Sequence, residues 1–474
     1  MRNLLSIWVP YPLLFSGFTL LALALSCQQK ADPLKARPNI IYIMADDLGY
    51  GDVGFNGQEH IQTPRIDQLA SEGMVFTQHY AGSTVCGPSR SVLLTGQHTG
   101  RTRVRGNPTW TRSGQPVDLL PQDVTVAEEL KRAGYVNGIV GKWGMDETFT
   151  TAHPLDQGFD YFYGYRTHVE AHHYYPEFLW RNKEKVLLEG NVPNQKIGAY
   201  SHDLITEESL KFIEANQDTS FFLMLSYTLP HYELTVPEDS KKPYLNRDWP
   251  KREMKPGHYY HDEAGNVTYA GMVSRLDRDV GRVMDLLDEL ELAENTLVIF
   301  TSDNGPVYDN GFFKSNGGLR GMKRDLYEGG IRVPFVARWK DTIRAGSVSN
   351  HVSAFWDFLP TACELAGLEP EAPTTGLSYL PSLLGDTDNQ SEHEYLYWEF
   401  NEAKGPMQAV RSGAWKVVKQ FQKPPELYHL ESDPRETRNL VQEKPEVLRR
   451  LNEMLQTART PHEEFPLERI DRNK

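Results

Sequence analysis

The stretch Asn39-Ile40-Ile41-Tyr42-Ile43-Met44-Ala45 is a short apolar run that passes directly into two acids, Asp46 and Asp47. Such a run is typical of a strand buried on both faces, as in a parallel sheet. Similar runs occupy residues 221–227 (FFLMLSY), 296–301 (TLVIFT) and 333–337 (VPFVA). Helical patterns occupy residues 124–133, 267–292 and 353–366. Strands that alternate with helices predict an α/β fold with a largely parallel sheet, in which sites collect outside the carboxyl ends of the strands.

The C-terminal part of the chain has a different pattern. Residues 384–391 are polar and rich in turn formers, which predicts a boundary. Short runs spaced like an antiparallel meander follow, and then a helical pattern, at 395–400, 407–411, 415–420, 426–429 and 445–457. We therefore predict a large α/β domain over residues 38–385 and a small α+β domain with a short antiparallel sheet over residues 386–474.

The N-terminus has the pattern of a targeting segment. Arg2 is its only charge, an apolar stretch follows, and Ala24-Leu25-Ser26-Cys27 resembles a bacterial lipoprotein cleavage site. An ordinary signal peptide or a retained membrane helix is the alternative, because the stretch is long enough to span a bilayer. We expect a signal peptide over residues 1–26, a tether over 27–37 and a lipid on Cys27. Such an anchor implies the bacterial cell envelope, in the periplasm or at the outer membrane and cell surface.

Composition excludes several classes of protein. The 474 residues carry 64 Asp and Glu against 50 Lys and Arg, a formal charge of −14. This balance argues against a nucleic-acid partner, because nucleic-acid binders are usually basic. Three cysteines are too few for a disulfide scaffold. Any site for an anion must therefore depend on a few locally placed cations.

Two acidic clusters follow predicted strands. Asp46 and Asp47 come after the first strand, and Asp303 with Asn304 comes after the strand at 296–301. Taken singly, these are as easily a solvated acidic turn and an Asn-Gly turn. Placed together, they form an all-oxygen set that suits Ca²⁺ or Mg²⁺ rather than zinc, and the chain has no cysteine–histidine spacing for zinc.

A third cluster is Cys86-Gly87-Pro88-Ser89-Arg90, followed by Leu93-Leu94-Thr95-Gly96. It places a thiol in a turn before a predicted helix, whose N-terminus lowers a thiol pKa and attracts anions. A buried inert cysteine is the ordinary alternative.

The string resembles the signature of type I sulfatases, members of the alkaline phosphatase superfamily, and the resemblance extends over roughly residues 38–440. It implies an alkaline-phosphatase-like fold with a large mixed, mostly parallel sheet, and a sulfuric ester hydrolase whose catalytic domain covers residues 38–385.

The resemblance also implies the residues of the site. The expected metal ligands are Asp46, Asp47, Cys86, Asp303 and Asn304, around one divalent cation, Ca²⁺ rather than Mg²⁺. The expected catalytic residues are Cys86, Arg90 and His231, with His231 as general acid. The expected sulfate contacts are Lys142, in Gly141-Lys142-Trp143, and Lys323. Cys86 is expected to be converted to formylglycine by a formylglycine-generating enzyme or an anaerobic sulfatase-maturing enzyme.

The chain departs from the family pattern at Gly144, where many sulfatases have a histidine two places after the signature lysine. In the family that histidine has a role on the formylglycine hydroxyls, so one proton-transfer role has no residue. By position, the candidates to fill it are His98, His168, His172 and His173. The sequence does not choose among them.

The substrate is expected to be a sulfated glycan or an oligosaccharide from it. Residues 160–181 and 258–261 are rich in aromatic and histidine side chains, which suit stacking on sugar rings. Core packing under long loops explains the same composition. Two other functions stay open: a phosphate or phosphonate ester hydrolase of the same superfamily, and a non-catalytic glycan-binding lipoprotein.

Overall fold

The computed structural model describes residues 37–192, 195–252, 259–260, 262–308, 311–402 and 405–468. The predicted signal peptide and Cys27 lie outside these residues. Within them, no helix is both long enough and apolar enough to cross a membrane.

Two main sheets organise the described residues. The strands in chain order are β1 (Asn39–Ala45), β2 (Met74–Phe76), β3 (His79–Tyr80), β4 (Val136–Lys142), β5 (Tyr161–Tyr165), β6 (Phe178–Arg181), β7 (Glu184–Leu187), β8 (Phe221–Ser226), β9 (Thr296–Ser302), β10 (Phe335–Arg338), β11 (Ser347–Ser349), β12 (Ser353–Ala354), β13 (Leu396–Glu402), β14 (Gly405–Ser412), β15 (Trp415–Gln420) and β16 (Glu426–His429). Ten of them form a mixed sheet in the order β11-β2-β10-β9-β1-β8-β4-β5-β6-β7. Its central block, from β9 to β5, is parallel throughout.

Helices cover both faces of the large sheet. The helices in chain order are α1 (Pro64–Glu72), α2 (Cys86–Thr95), α3 (Val126–Arg132), α4 (Ser201–Ala215), α5 (Glu238–Lys241), α6 (Asn266–Glu289), α7 (Glu328–Ile331), α8 (Phe358–Leu365), α9 (Leu380–Leu383) and α10 (Pro445–Thr457), of which α10 packs on the small sheet. Alternate side chains of β1 enter two separate cores. Tyr42 packs on the side of α2, α3 and α8, whereas Ile41 and Ile43 pack on the side of α1, α4 and α6. This two-sided burial explains why β1 is apolar at nearly every position.

The small sheet, in the order β13-β14-β15-β16, is antiparallel and lies between the large core and α10. Along β14, Met407 and Ala409 join the large core, while Val410 packs with Leu451 and Leu455 of α10. Alternation along one strand therefore attaches this sheet to the rest of the chain on one face and to its own helix on the other.

The architecture confirms the predicted fold class, and two of the predicted elements differ from it at their start for a physical reason. The predicted strand at 333–337 begins at Phe335, because Pro334 has no N–H to donate to the sheet. The predicted helix at 353–366 begins as a short strand and a 3-10 turn, and its α-helical part is Phe358–Leu365. There the Asp357 carboxylate accepts the backbone N–H of Ala354 and holds the turn.

Candidate active site

Four adjacent parallel strands, β9, β1, β8 and β4, deliver site residues to one edge of the sheet. The residues just after β9 and β1 are Asp303, Asn304, Asp46 and Asp47, Lys142 is the last residue of β4, and His231 lies five residues beyond β8. In register, Ala45 pairs with Ser302 and Met44 pairs with Ser226. The carboxyl ends are therefore level, which brings residues from distant parts of the sequence together.

The thiol of Cys86 lies in the middle of this edge. Cys86 is the first residue of α2, and Arg90 lies one turn further on the same helix. The thiol donates to Asp46 Oδ1 at 3.2 Å, and Lys323 Nζ donates to the sulfur at 3.3 Å. Burial raises the pKa of Cys86, and the neighbouring Asp46 raises it further. The pKa of the unmodified thiol is therefore raised, which contradicts the expectation that the helix N-terminus lowers it.

The acidic residues form a cage around that thiol. Asp46, Asp47, Cys86 and Asp303 each offer one ligand atom, and these atoms all lie within 4.8 Å of one another. Asn304 Nδ2 donates to Asp47 Oδ1 at 2.7 Å. Asn304 Oδ1 and Asp47 Oδ2 are buried and have no hydrogen-bond partner in the described part of the chain. Carboxylate and amide oxygens with free lone pairs are the ligands of a hard divalent cation, so the residues fit Ca²⁺ or Mg²⁺.

Three buried cations face the three carboxylates of the cage. The contacts are Lys142 Nζ to Asp46 Oδ2 at 2.6 Å, Lys323 Nζ to Asp47 Oδ1 at 2.5 Å and Arg90 Nη2 to Asp303 Oδ2 at 2.9 Å. These formal charges balance, although the whole chain is strongly acidic. A divalent cation added to this set leaves the site positive, which favours an anionic substrate.

The carboxylates respond differently to this environment. Burial disfavours the charged form of Asp46, but Lys142 and the other cations outweigh it and hold the pKa of Asp46 well below its usual range. Burial raises the pKa of Asp303, and the negative charge of Asp46 adds to the rise, with Arg90 opposing both. A bound cation favours the ionised form of such carboxylates.

A row of imidazoles forms one wall of the site. His231 Nε2 lies 3.5 Å from Asp47 Oδ2. The ring of His172 stacks on His231 with centroids 5.1 Å apart, and His168 contacts His172 edge-on at 4.9 Å. Burial lowers the pKa of His231 and of His168, and nearby Lys142 and Lys323 lower both further.

The structure separates the four histidines proposed for the role left open at Gly144. His168 and His172 lie in this wall, beside His231. The Nδ1 atom of His173 pairs with Glu233 at 2.7 Å. His98 packs against Tyr397 of the small sheet, with ring centroids 5.2 Å apart, so it does not share the wall.

Sequence reasoning missed Ser226, the last residue of β8. Its hydroxyl accepts from Arg90 and donates to the carbonyl oxygen of Lys142 at 2.7 Å. The hydroxyl thus joins α2 to the end of β4. The available signal was a polar residue at the end of an otherwise apolar run, in FFLMLSY.

Most aromatic residues of the stretch 160–181 form core rather than a sugar platform. Tyr163, Tyr165 and Tyr174 are buried in the core on the α4 and α6 side. Tyr259 is the aromatic residue that joins the wall, with its ring centroid 6.0 Å from that of His231. His258 and His261 lie outside the described residues.

Comparison with known proteins matches two family models to this chain. The family model described as Sulfatase matches residues 38–368, and the model described as N-sulphoglucosamine sulphohydrolase, C-terminal, matches residues 321–461. N-acetylgalactosamine-6-O-sulfatase of Bacteroides thetaiotaomicron is 29% identical over 93% of this chain and 97% of its own length. Human steryl-sulfatase is 30% identical over 76% of this chain and 72% of its own length. The crystal structure of Ps i-CgsB in complex with k-i-k-neocarrahexaose is 28% identical, with a TM-score of 0.77 over 92% of this chain and 95% of that one.

Proposed function

The chain belongs to the sulfatase family and is a sulfuric ester hydrolase, and we propose that it removes sulfate from a sulfated carbohydrate. The nucleophile in this proposal is formylglycine made from Cys86, held with one divalent cation, Ca²⁺ rather than Mg²⁺. The observation that carries it is the position of the Cys86 sulfur, between the Asp46 carboxylate and the Lys323 ammonium at the centre of the cage.

The cation and the formylglycine each have a defined use at this centre. Asp46, Asp47, Asp303 and Asn304 would hold the cation, which would supply positive charge to stabilise the charge developing on the sulfate group. Formylglycine at position 86 supplies an oxygen nucleophile at the N-terminus of α2.

The chain's own cations bind and orient the ester. Lys142 and Lys323 already lie around residue 86, and their ammonium groups donate to oxygens of the sulfate in this proposal. Arg90 holds the end of β4 beside Asp303, because its guanidinium donates to Asp303 and to the carbonyl oxygen of Lys142. Donors preorganised in a buried site stabilise the transition state without reorganisation.

His231 is placed to donate a proton to the leaving alcohol oxygen. It is buried and lies against Asp47, on the rim of the cage. Burial favours its neutral form, whereas the negative charge of a bound sulfate ester favours its protonated form. A protonated His231 with a low pKa is a strong general acid toward a departing alkoxide.

The carbohydrate class rests on the relatives. One is named for N-acetylgalactosamine 6-O-sulfate, and one similar structure holds a carrageenan oligosaccharide. Human steryl-sulfatase, at comparable identity, is named for a sterol, so a steroid sulfate belongs in any test of this proposal.

We further propose that the chain works in the bacterial cell envelope, lipid-anchored at Cys27, and that a sulfatase-maturing enzyme is its partner. The sequence Ala24-Leu25-Ser26-Cys27 supports the anchor. The Cys86-Gly87-Pro88-Ser89-Arg90 string supports the modification.

The reaction is tested by side-by-side rates on an aryl sulfate, a phosphate diester and a phosphonate monoester. We expect the sulfate to give the highest kcat/KM. A preference for a phosphorus ester contradicts the sulfatase proposal and favours the related ester hydrolase. Binding of sulfated glycans with no turnover of any ester, together with an unmodified thiol at Cys86, favours a binding protein instead.

The substrate is tested by incubating defined sulfated oligosaccharides and a steroid sulfate with the enzyme and measuring product mass. We expect loss of one sulfate group from at least one galactosamine or carrageenan oligosaccharide. Desulfation of the steroid alone contradicts the carbohydrate proposal and leaves the reaction type intact.

A further inference from the structure

Gly144 leaves a space beside the Lys142 side chain, and His168 lies on the other side of this space. Gly144 has a φ of +71°, and the atoms nearest to a Cβ added to it are Lys142 Cε at 3.7 Å, Lys142 Cγ at 3.9 Å and His168 Cα at 4.0 Å. A side chain at position 144 therefore points into a region bounded by a sulfate-site lysine on one side and by the His168 backbone on the other.

A hydrogen bond to the segment that follows Gly144 holds His168 at that place. Its backbone N–H donates to the carboxylate of Glu147, three residues after Gly144. The residue is 9% exposed, and its Nδ1 atom is buried with no hydrogen-bond partner among the residues the structure describes. A buried, unpaired ring nitrogen is costly unless a ligand satisfies it.

The neighbours of His168 belong to the site. Lys142, His172, His231 and Lys323 all act on it electrostatically. The imidazole lies at one end of the row of rings, 4.9 Å from that of His172, which in turn lies 5.1 Å from that of His231. These charges, added to burial, lower the pKa of His168 and keep its ring neutral, so it retains one N–H donor and one acceptor nitrogen.

We propose that His168 is a substrate-contacting residue, which supplies beside Lys142 the imidazole that position 144 lacks and hydrogen-bonds to the sulfate group of the ester. This inference rests on the proposed function, because it takes the sulfate group to lie between Lys142, Lys323 and His231. It assigns His168, among the four candidate histidines, by its position next to Gly144.

The test measures binding of inorganic sulfate by calorimetry in a Cys86→Ala background, so that the readout does not depend on maturation or turnover. The variants are His168→Ala, His168→Gln, Gly144→His with His168→Ala, and the control His98→Gln. His98 is also a buried histidine, but it packs on the small sheet. Melting temperatures are recorded for each variant.

We expect His168→Ala to weaken sulfate binding by about tenfold or more, the scale of a hydrogen bond to a charged group. His168→Gln keeps a side-chain N–H and is expected to lose less. The double variant is expected to recover affinity, because histidine is among the side chains that tolerate positive φ and the space at 144 is open. His98→Gln is expected to bind sulfate like its parent.

Three results overturn the inference. Unchanged sulfate affinity in His168→Ala shows that the ring does not contact the anion. An equal loss in His168→Ala and His168→Gln, with no recovery in the double variant, shows a merely structural role. Failure of the Cys86→Ala parent itself to bind sulfate shows that no sulfate subsite lies beside Lys142 in this protein and overturns the inference, whereas the proposed function is decided separately by turnover of sulfate esters.

Discussion

Arg90 connects site residues that come from three separate elements. Its guanidinium donates to Asp303 Oδ2 after β9, to the carbonyl oxygen of Lys142 on β4 and to the hydroxyl of Ser226 on β8. It is 1% exposed. A planar fork of donors satisfies several acceptors at once, which a lysine ammonium on a flexible stem does not reproduce.

Arg90→Lys is therefore expected to reduce kcat/KM by about 100-fold or more, because at least two charge-assisted hydrogen bonds of roughly 1.5–3 kcal/mol each are lost. The measurement is steady-state turnover of an aryl sulfate, with circular dichroism to confirm the fold. A variant within threefold of the parent shows that Arg90 does not organise the site.

A substitution at Asn304 tests whether the acidic cage binds a divalent cation. Its Oδ1 atom is a buried acceptor without a partner in the described residues, as expected of a metal ligand. Asn304→Ala is expected to weaken Ca²⁺ binding by at least about tenfold, the lower end of losses seen even for residues outside the ligand shell. Calorimetric titration of chelator-treated protein measures it. Asn316→Ala is the control, because Asn316 Nδ2 donates to a backbone carbonyl instead, and equal Ca²⁺ affinity in both variants contradicts the cage.

At the scale of elements, β4 and β8 end side by side because their backbones approach each other closely at Gly141. Gly141 has a φ of +115°, and a Cβ there lies 1.9 Å from the carbonyl oxygen of Ser226. Both neighbours matter to the site, since Lys142 is the next residue and the Ser226 hydroxyl contacts Arg90. The glycine thus allows two site-bearing strands to end side by side.

Gly141→Ala is expected to reduce the free energy of unfolding by roughly 2–6 kcal/mol, because backbone strain and overpacking add. Activity is expected to fall with it, since Lys142 is displaced. Gly190→Ala is the matched control: it has a φ of +87° and no atom within 4 Å of the added Cβ, so it carries the strain of about 1–2 kcal/mol alone. Urea unfolding that shows equal losses contradicts the packing argument.

Several site-bearing elements can be predicted from the sequence because the patterns that form them lie within short stretches of the chain. Apolar runs buried on two faces predict β1, β8 and β9, and the string that starts at Cys86 predicts the start of α2. The sequence does not choose His168 over His98, because that choice depends on which loop folds back against Gly144. The sequence also does not predict Ser226, because its hydroxyl joins the site only through contacts with Lys142 of β4 and Arg90 of α2.

At the scale of the whole molecule, the small sheet reaches the active site through hydrogen bonds. Glu402 at the end of β13 accepts from the backbone N–H of Asn107 at 2.8 Å. The Asn107 side chain accepts from the N–H of Gly87 at 3.0 Å, next to Cys86. The residues after Lys323 are held similarly, because Lys416 of β15 is fully buried and contacts Glu328 at 2.9 Å and Glu436 at 3.0 Å.

This buried pair of glutamates predicts a pH dependence of stability. Burial raises the pKa of Glu436, and Glu328 raises it further, although Lys416 opposes the rise. A carboxyl whose pKa is raised on folding stabilises the fold in its protonated form, and this contribution is lost as pH rises above the ordinary carboxyl range. Urea unfolding between about pH 5 and 8 is therefore expected to show less loss of stability with rising pH in Glu436→Gln than in the parent. Parallel curves for the two proteins contradict this assignment.

The central claim is that residue 86 is the reacting residue of a sulfatase centre built on the ends of four strands. The most direct measurement is desulfation of a sulfated oligosaccharide, read by product mass, for the parent, Cys86→Ala and Cys86→Ser, each expressed with a maturing enzyme. We expect the parent to release sulfate and both variants to lose this activity, with the parent's residue-86 peptide carrying the mass of formylglycine. Full activity in either variant contradicts the account.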